Sequence, residues 1–550
     1  MNKALHLKKH VLSAICLGVL TACGGGGGSS PSISQQAETF SQSFTESGIS
    51  SSAVSFDAHA TASGEVASRE EGSDGLKAAQ EDIKSTLINL GFDVTEQSFS
   101  YRVWNKNSAT LSVGVDALNN FAVIKYSPAS NGEINGDLVW LNPTTYNPGS
   151  AHAPTDGCAD TDFQEAINNN GKVIINNIVM LQAGGCDTEQ KILLAQKYKA
   201  AAVIMFKSQP TGADDTSVYD TALPYRLNPV VTIPILGISY NKAESYFRFN
   251  VNKDIILNVD VSQEERNGKN IIADLKGRNE NQFVMVGAHL DSAAGSPGAN
   301  NNGSGVVAML EYAKVLVEEL GKNAIDPLRS SLRLAFWGAG EAGKYGSASY
   351  AEANFDAKYQ QILNTLLVET GKATYAELSE GEVEILSRRM QASNAIKAYI
   401  NLDSIASVNG FYGVLDGDIS STSSDSSSAY GSGKLPLPAD GGQYHIENSF
   451  KNAFLGLNTN MVPLLLDNKG DYEAFGKYHV PFGGLFSGAD GTKSESLMAT
   501  FGGEANKPFD PCHKKDCDGI DNMDTKVLLT NTRVMAEVVT TYLLKDDIFK

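Results

Sequence analysis

Three scarcities bound this 550-residue chain. Basic residues are outnumbered: 44 Lys and Arg face 63 Asp and Glu, a net charge of −19 at pH 7. Nucleic acids and anionic membrane surfaces demand basic patches, so neither suits the folded surface as a partner. The acidity reads instead as a solubility feature of an exported protein. Bilayer-spanning length is also missing from the apolar amino-terminal stretch, which runs only from Val11 to Leu20. Cysteine is sparse, with six in all, and no second thiol pair lies near Cys512 and Cys517, which argues against a thiolate metal site there.

The amino terminus carries the first positive signal. Lys3, Lys8 and Lys9 precede the apolar stretch, which ends in Leu20-Thr21-Ala22-Cys23. This resembles a bacterial lipoprotein signal, which implies removal of residues 1–22, lipidation of Cys23 and export. Residues 23–52, rich in Gly, Ser and Gln, then read as a flexible tether. Gly24 in place of aspartate points to the outer membrane, and the only membrane contact expected is the lipid anchor. Cys16 leaves with the signal, so four cysteines remain in the folded part. Cys158 with Cys186 and Cys512 with Cys517 is the pairing expected in an oxidising compartment.

The chemistry is concentrated at three strand ends. Phe283 to Val286 is an apolar run fit for a buried strand, and His289 and Asp291 sit just beyond it. Ligands of open α/β sheets bind at such ends. Alone, a histidine after a strand is weak evidence. The context adds weight: Ser304 to Leu320 has a helical apolar face (Val306, Val307, Leu310, Ala313, Val317). A second strand, Leu332 to Trp337, leads into Gly338-Ala339-Gly340-Glu341-Ala342-Gly343, and a third, Ala398 to Leu402, delivers Asp403.

Gly287-Ala288-His289-Leu290-Asp291-Ser292, the turn Gly298-Ala299-Asn300-Asn301-Asn302-Gly303, Asp471-Tyr472-Glu473-Ala474-Phe475 and Phe509-Asp510-Pro511-Cys512 recur in order and spacing from about Asp74 to the end. In this the chain resembles the secreted bacterial di-zinc aminopeptidases of the aminopeptidase S and aminopeptidase Y kind. The resemblance implies an α/β fold, a three-layer αβα zinc-peptidase-like mixed sheet, and a site with two zinc ions. There an aspartate bridges the metals and a glutamate is the general base. The retained ligand positions are His289, Glu341 and Asp403, and Asp291 matches the carboxylate behind the first histidine. The bridging aspartate falls on Asn301, the base on Gly340 and the last histidine on Lys514.

Each substitution has a chemical meaning. Asparagine offers a neutral oxygen where two dications need an anionic bridge. Glycine has no group to take a proton, and a positioned base is worth about 10² to 10⁴ in rate. The Lys514 ammonium is a charge aimed where the second metal would sit, and it is expected to pair with Glu341, which otherwise is an unpaired buried charge. At most one weakly held zinc, or none, is therefore expected. His513 is a possible substitute ligand if the loop between the cysteines shifts by one residue; otherwise it takes the family's tyrosine position beside the substrate. His445 and His479 match no ligand position. Lys469 stands where the family has an arginine near the substrate.

Residues 131–260 change pattern. Gly171 to Ile175, Ala200 to Phe206 and Thr232 to Ser239 read as strands, and Lys191 to Tyr198 as a helix. This resembles an inserted β-rich protease-associated domain, leaving residues 53–130 and 261–550 as one aminopeptidase-like domain. Residues 356–397 read as an exposed helical decoration, and Ser420 to Ser432 as a serine-rich loop. Two functions compete. One is a degenerate, non-catalytic surface lipoprotein that binds peptides or proteins in the cleft or on the insert. The other is an active zinc aminopeptidase with a rearranged site.

Overall fold

The computed structural model describes residues 31–549 apart from 65, 142–156, 169–170, 185, 187, 208–216, 224–229, 246, 248–253, 418–441, 465, 467–469 and 490. Cys23, Lys469 and the serine-rich loop lie outside the described residues.

The strand Asn279–His289 is the axis of the sheet. It runs parallel to Ser330–Trp337 on one side and to Ile396–Asp403 on the other, and Ile396–Asp403 runs parallel to Phe482–Phe486. Asp254–Leu275 joins Ser330–Trp337 antiparallel, so the sheet is mixed. Side chains alternate across it, as the two-residue period of a strand requires. Val284, Val286 and Ala288 enter one core with the helices Ser304–Gly321 and Thr525–Leu543. Phe283 and Met285 enter another with Tyr350, Phe355, Tyr399 and Phe475. The outcome is the expected three-layer αβα arrangement.

Asp93–Val113 and Asp254–Leu275 form a long antiparallel ribbon, paired from Asp93 with Asp274 to Val113 with Ile255. The ribbon leads to a smaller sheet in which Ile134–Trp140, Ile178–Gln182, Ala202–Phe206 and Ile235–Ile238 run parallel in sequence. This insert has its own cores, with Trp140, Ile178 and Ile204 in one and Phe163, Val179 and Met205 in the other.

Three expectations are corrected. Gly171 to Ile175 is not a strand; the strand starts at Ile178, and Val173 and Ile175 are 63% and 55% exposed. An apolar run alone does not fix which residues find a strand partner. The stretch expected to be tether through Ser52 is helical from Ile33: the helices Ile33–Ser41 and Glu46–Asp57 bury Phe40, Ile49 and Phe56 in the first core, and Phe44 joins them from the turn between. Its polar composition masked widely spaced anchors. The 356–397 segment forms two helices, Ala357–Thr370 and Glu380–Ser393, the second opened by a capping box at Ser379 and Glu382. It is no mere decoration, because Leu366, Leu386 and Met390 are buried in the second core.

Candidate functional site

Three neighbouring parallel strands end together, so His289, the turn after Trp337 and Asp403 meet at one edge of the sheet. His289 is buried; its Nδ1 contacts the Asp291 carbonyl oxygen at 3.0 Å, and its Nε2 lies 3.9 Å from Asp403 Oδ1. Burial works against a charged imidazole, yet Asp291, Asp403 and Glu341 outweigh it and raise the pKa to about 10. Burial lifts the Asp403 carboxyl above its ordinary range, against the pull of His289.

Asp291 organises the neighbouring turn. Its carboxylate accepts the Gly340 N–H at 2.7 Å and the Glu341 N–H at 2.9 Å, at the start of the short helix Gly340–Gly343. Glu71 does the same one residue earlier, accepting the Ala339 N–H at 2.8 Å. Burial and the nearby Asp291 charge raise Glu71 to about 7. Ala339, Lys344, Ser404 and Lys514, all close to this site, hold positive φ without being glycine.

The expected pair between Lys514 and Glu341 forms. Lys514 Nζ lies 3.0 Å from Glu341 Oε2, with Glu341 13% and Lys514 48% exposed. The Asn301 side-chain amide donates to the other oxygen, Glu341 Oε1, while its Oδ1 accepts from the Ser404 hydroxyl at 3.1 Å. Burial pushes the Glu341 pKa up, but His289 and Lys514 outweigh it and hold the carboxyl below its usual range. Both Glu341 oxygens are thus taken by N–H donors. At Gly340 a Cβ would meet the His289 Cγ at 2.7 Å and its Cβ closer still, so the position has closed over the space a side chain needs.

The site therefore brings together His289, Asp291, Asn301, Gly340, Glu341, Asp403 and Lys514. His513 is half-buried, and its charge acts on Asp403. Both disulfides are present, Cys158–Cys186 and Cys512–Cys517, with Cα separations of 5.8 and 5.3 Å. His479 and His445 stack on Tyr359 and Phe549 instead. The donors do not fit a pair of metal ions: an ammonium occupies one carboxylate and a neutral amide stands between the two halves.

Supporting residues escaped the sequence reading. Arg69 is fully buried beneath the turn, donating to the carbonyl oxygens of Pro297 and of Gly298 (2.8 Å), with its guanidinium 4.4 Å from the centre of the Phe56 ring. Asp518 accepts the N–H groups of Asn300 at 3.0 Å and Asn301 at 3.2 Å. Asn522 bridges Asp518 and Asp510, at 2.9 and 2.8 Å, which ties the disulfide loop to the same turn. Only Asp510 lies in a motif singled out from the sequence. Arg69 and Asp518 act across separations of more than 200 residues and leave no local pattern.

Similarity to known proteins agrees with this architecture. The profile described as Peptidase family M28 matches residues 270–539, and the PA domain profile matches 135–246. An "Aminopeptidase" of Pseudomonas aeruginosa is 29% identical over 473 residues, 84% of this chain and 75% of the relative. "Probable lipoprotein aminopeptidase LpqL" of Mycobacterium tuberculosis is 28% identical over 481 residues, 86% and 80% of the two chains. Among solved structures, the aminopeptidase from Aneurinibacillus sp. strain AM-1 superposes with a TM-score of 0.55 at 17% identity, covering 92% of this chain and 94% of that one.

Proposed function

We propose, from the premise that the chain belongs to peptidase family M28 and carries an inserted PA domain, that it is a peptide-binding member whose hydrolytic centre has been exchanged for an ion pair. The observation that carries this reading is the Lys514 ammonium on Glu341, with the Asn301 amide on the same carboxylate. In this reading Glu341 is a ligand that has acquired a protein cation in place of a metal. Gly340 adds a second obstacle, since no side chain stands there to take a proton from water. His289 and Asp403 neutralise each other in what remains, and the cleft keeps its walls without its chemistry.

A second reading, an active zinc aminopeptidase, is the one the relatives support better than the first, since they are named aminopeptidases and match over more than four-fifths of this chain. In that reading His513, close to Asp403, supplies a ligand and an unforeseen group serves as base. Zinc stoichiometry by elemental analysis, with an aminoacyl-nitroanilide assay on the same purified sample, separates the two. The expected result is at most one weakly held zinc and no turnover. Two zincs with turnover would overturn the ion-pair reading and establish the second.

We further propose that the chain is exported and held to the outer membrane by lipid on Cys23. The printed name of the mycobacterial relative supports a lipoprotein, and among the described residues no helix is long and apolar enough to cross a membrane.

A further inference from the structure

The inserted sheet meets the peptidase domain through an aromatic contact that leads to the site. Residues 122–127 precede the insert in sequence but fold onto its sheet. Ala122–Val123 pairs antiparallel with Ile235–Ile238, the Ile124 N–H donates to the Ile235 carbonyl oxygen at 3.1 Å, and the Ile235 N–H donates to the Ser127 hydroxyl at 2.8 Å. From the ribbon, the Trp104 indole donates to the Ser127 carbonyl oxygen at 2.8 Å. Tyr126 therefore stands between the two bodies. Its ring packs against two separate clusters, the insert's core around Val179 and Met205 and a smaller one of Phe99, Tyr101, Ala339 and Tyr345.

That smaller cluster backs the turn that carries Glu341. The Tyr126 hydroxyl is hydrogen-bonded to that of Tyr345, which donates its one proton to the Arg102 carbonyl oxygen at 3.1 Å, so Tyr126 is the donor between the rings. Tyr345 also stacks on Tyr101, with ring centres 4.8 Å apart. Its N–H donates to the Ala339 carbonyl oxygen at 3.2 Å, the Lys344 N–H to that of Gly340 at 2.8 Å and the Gly346 N–H to that of Gly338 at 3.1 Å. These bonds close the loop that presents Glu341 to Asn301 and Lys514. Asn270 braces the loop from the sheet, accepting the Gly338 N–H at 3.1 Å and donating to the Gly346 carbonyl oxygen at 2.9 Å. A two-stranded ribbon is marginally stable by itself, so contacts beside it bear on where the insert sits.

We infer that Tyr126 is a positioning residue: its ring and hydroxyl tie the inserted sheet to the Glu341 turn, so that a displacement of the insert is felt at the site. The inference goes beyond the peptide-binding reading and stands apart from it, because Glu341 is the acid at issue whether the site holds a lysine or a metal. By linkage the coupling runs both ways. A ligand that shifts the insert alters the hold on Glu341, and a ligand at Glu341 alters the insert.

The test is amide hydrogen exchange, read by mass spectrometry, on the full folded chain and on Tyr126→Phe, Tyr345→Phe and the double variant. Exchange of residues 339–346 is expected to rise about fivefold in Tyr126→Phe, the effect of losing one hydrogen bond. Tyr345→Phe, which also loses the Arg102 bond, is expected to do at least as much, and the double variant to match it, since the Tyr126 bond is then already gone. The insert strands Ile178–Gln182 and Ala202–Phe206 and the melting temperature are expected to stay at parent values. Tyr198→Phe, whose ring stacks on Phe163 at 5.0 Å inside the insert, is the control and leaves 339–346 unchanged. Acylation of Lys514 by an N-hydroxysuccinimide ester is expected to quicken with the exchange in Tyr126→Phe, against Lys77 as internal reference. Unchanged exchange of 339–346 in Tyr126→Phe would overturn the inference, and so would a rise shared by the strand Asn279–His289 or a double variant whose effects multiply. Faster exchange with unaltered Lys514 labelling would also overturn it, by separating the turn from the site.

Discussion

The two halves of the site balance their charges in different ways. The half built on His289, Asp291 and Asp403 sets an imidazole among carboxylates, and these charges compensate one another. The half built on Asn301, Gly340, Glu341 and Lys514 keeps one acid and surrounds it with a lysine and an amide. The difference shows what a buried carboxylate requires: an anion at this depth needs a counter-charge, and Glu341 finds one in the Lys514 ammonium. Asp291 has a structural duty whatever the chemistry of the site, holding the N–H groups of Gly340 and Glu341.

The sharpest way to break this comparison is Asp291→Ala. It leaves the buried N–H groups of Gly340 and Glu341 without their acceptor and takes a carboxylate charge from beside the His289 imidazole, so a loss of about 3–5 kcal/mol is expected in chemical denaturation. A loss below about 1 kcal/mol would deny Asp291 its structural role. Next, Asn301→Asp combined with Lys514→His returns acid and imidazole to the converted half. Zinc affinity by competition with a chelator is expected to rise by on the order of 10²-fold, about 2.7 kcal/mol. Turnover stays absent because Gly340 is unchanged. If zinc affinity does not move, the halves differ in backbone and not only in side chains.

The smallest expected effect concerns pH. Glu71 has a folded-state pKa near 7, above its ordinary 4.5, so its favourable contribution is complete below pH 4.5 and fades as the pH rises through 7. Stability measured by melting temperature should carry a component that falls across that window, and Glu71→Gln should flatten it. A variant with the parent's slope would show that Glu71 titrates normally.

Much of this was legible in the chain itself. The three strands and the helix after the glycine-rich turn were placed by apolar period, the site residues on the strand ends, the turn and the disulfide loop came from motif order and the family resemblance, and the Lys514–Glu341 pair followed from the chemistry of the two groups. Composition misled at Ile33 to Ser52, where five widely spaced apolar residues among serines suffice for two docked helices. It misled again at Gly171 to Ile175, where β-branched residues have no strand beside them.

The sequence alone thus determined the elements that meet and the chemical character of the groups they carry, because periodicity and side-chain chemistry are local properties. Only the tertiary structure decided what each group finds opposite it. That includes Arg69 under the Gly298 turn, Asp518 on the Asn300 and Asn301 amides, and His289 filling the space beside Gly340. Those partners lie far apart along the chain, and no short-range pattern encodes a contact that exists only once the sheet has brought its strand ends together.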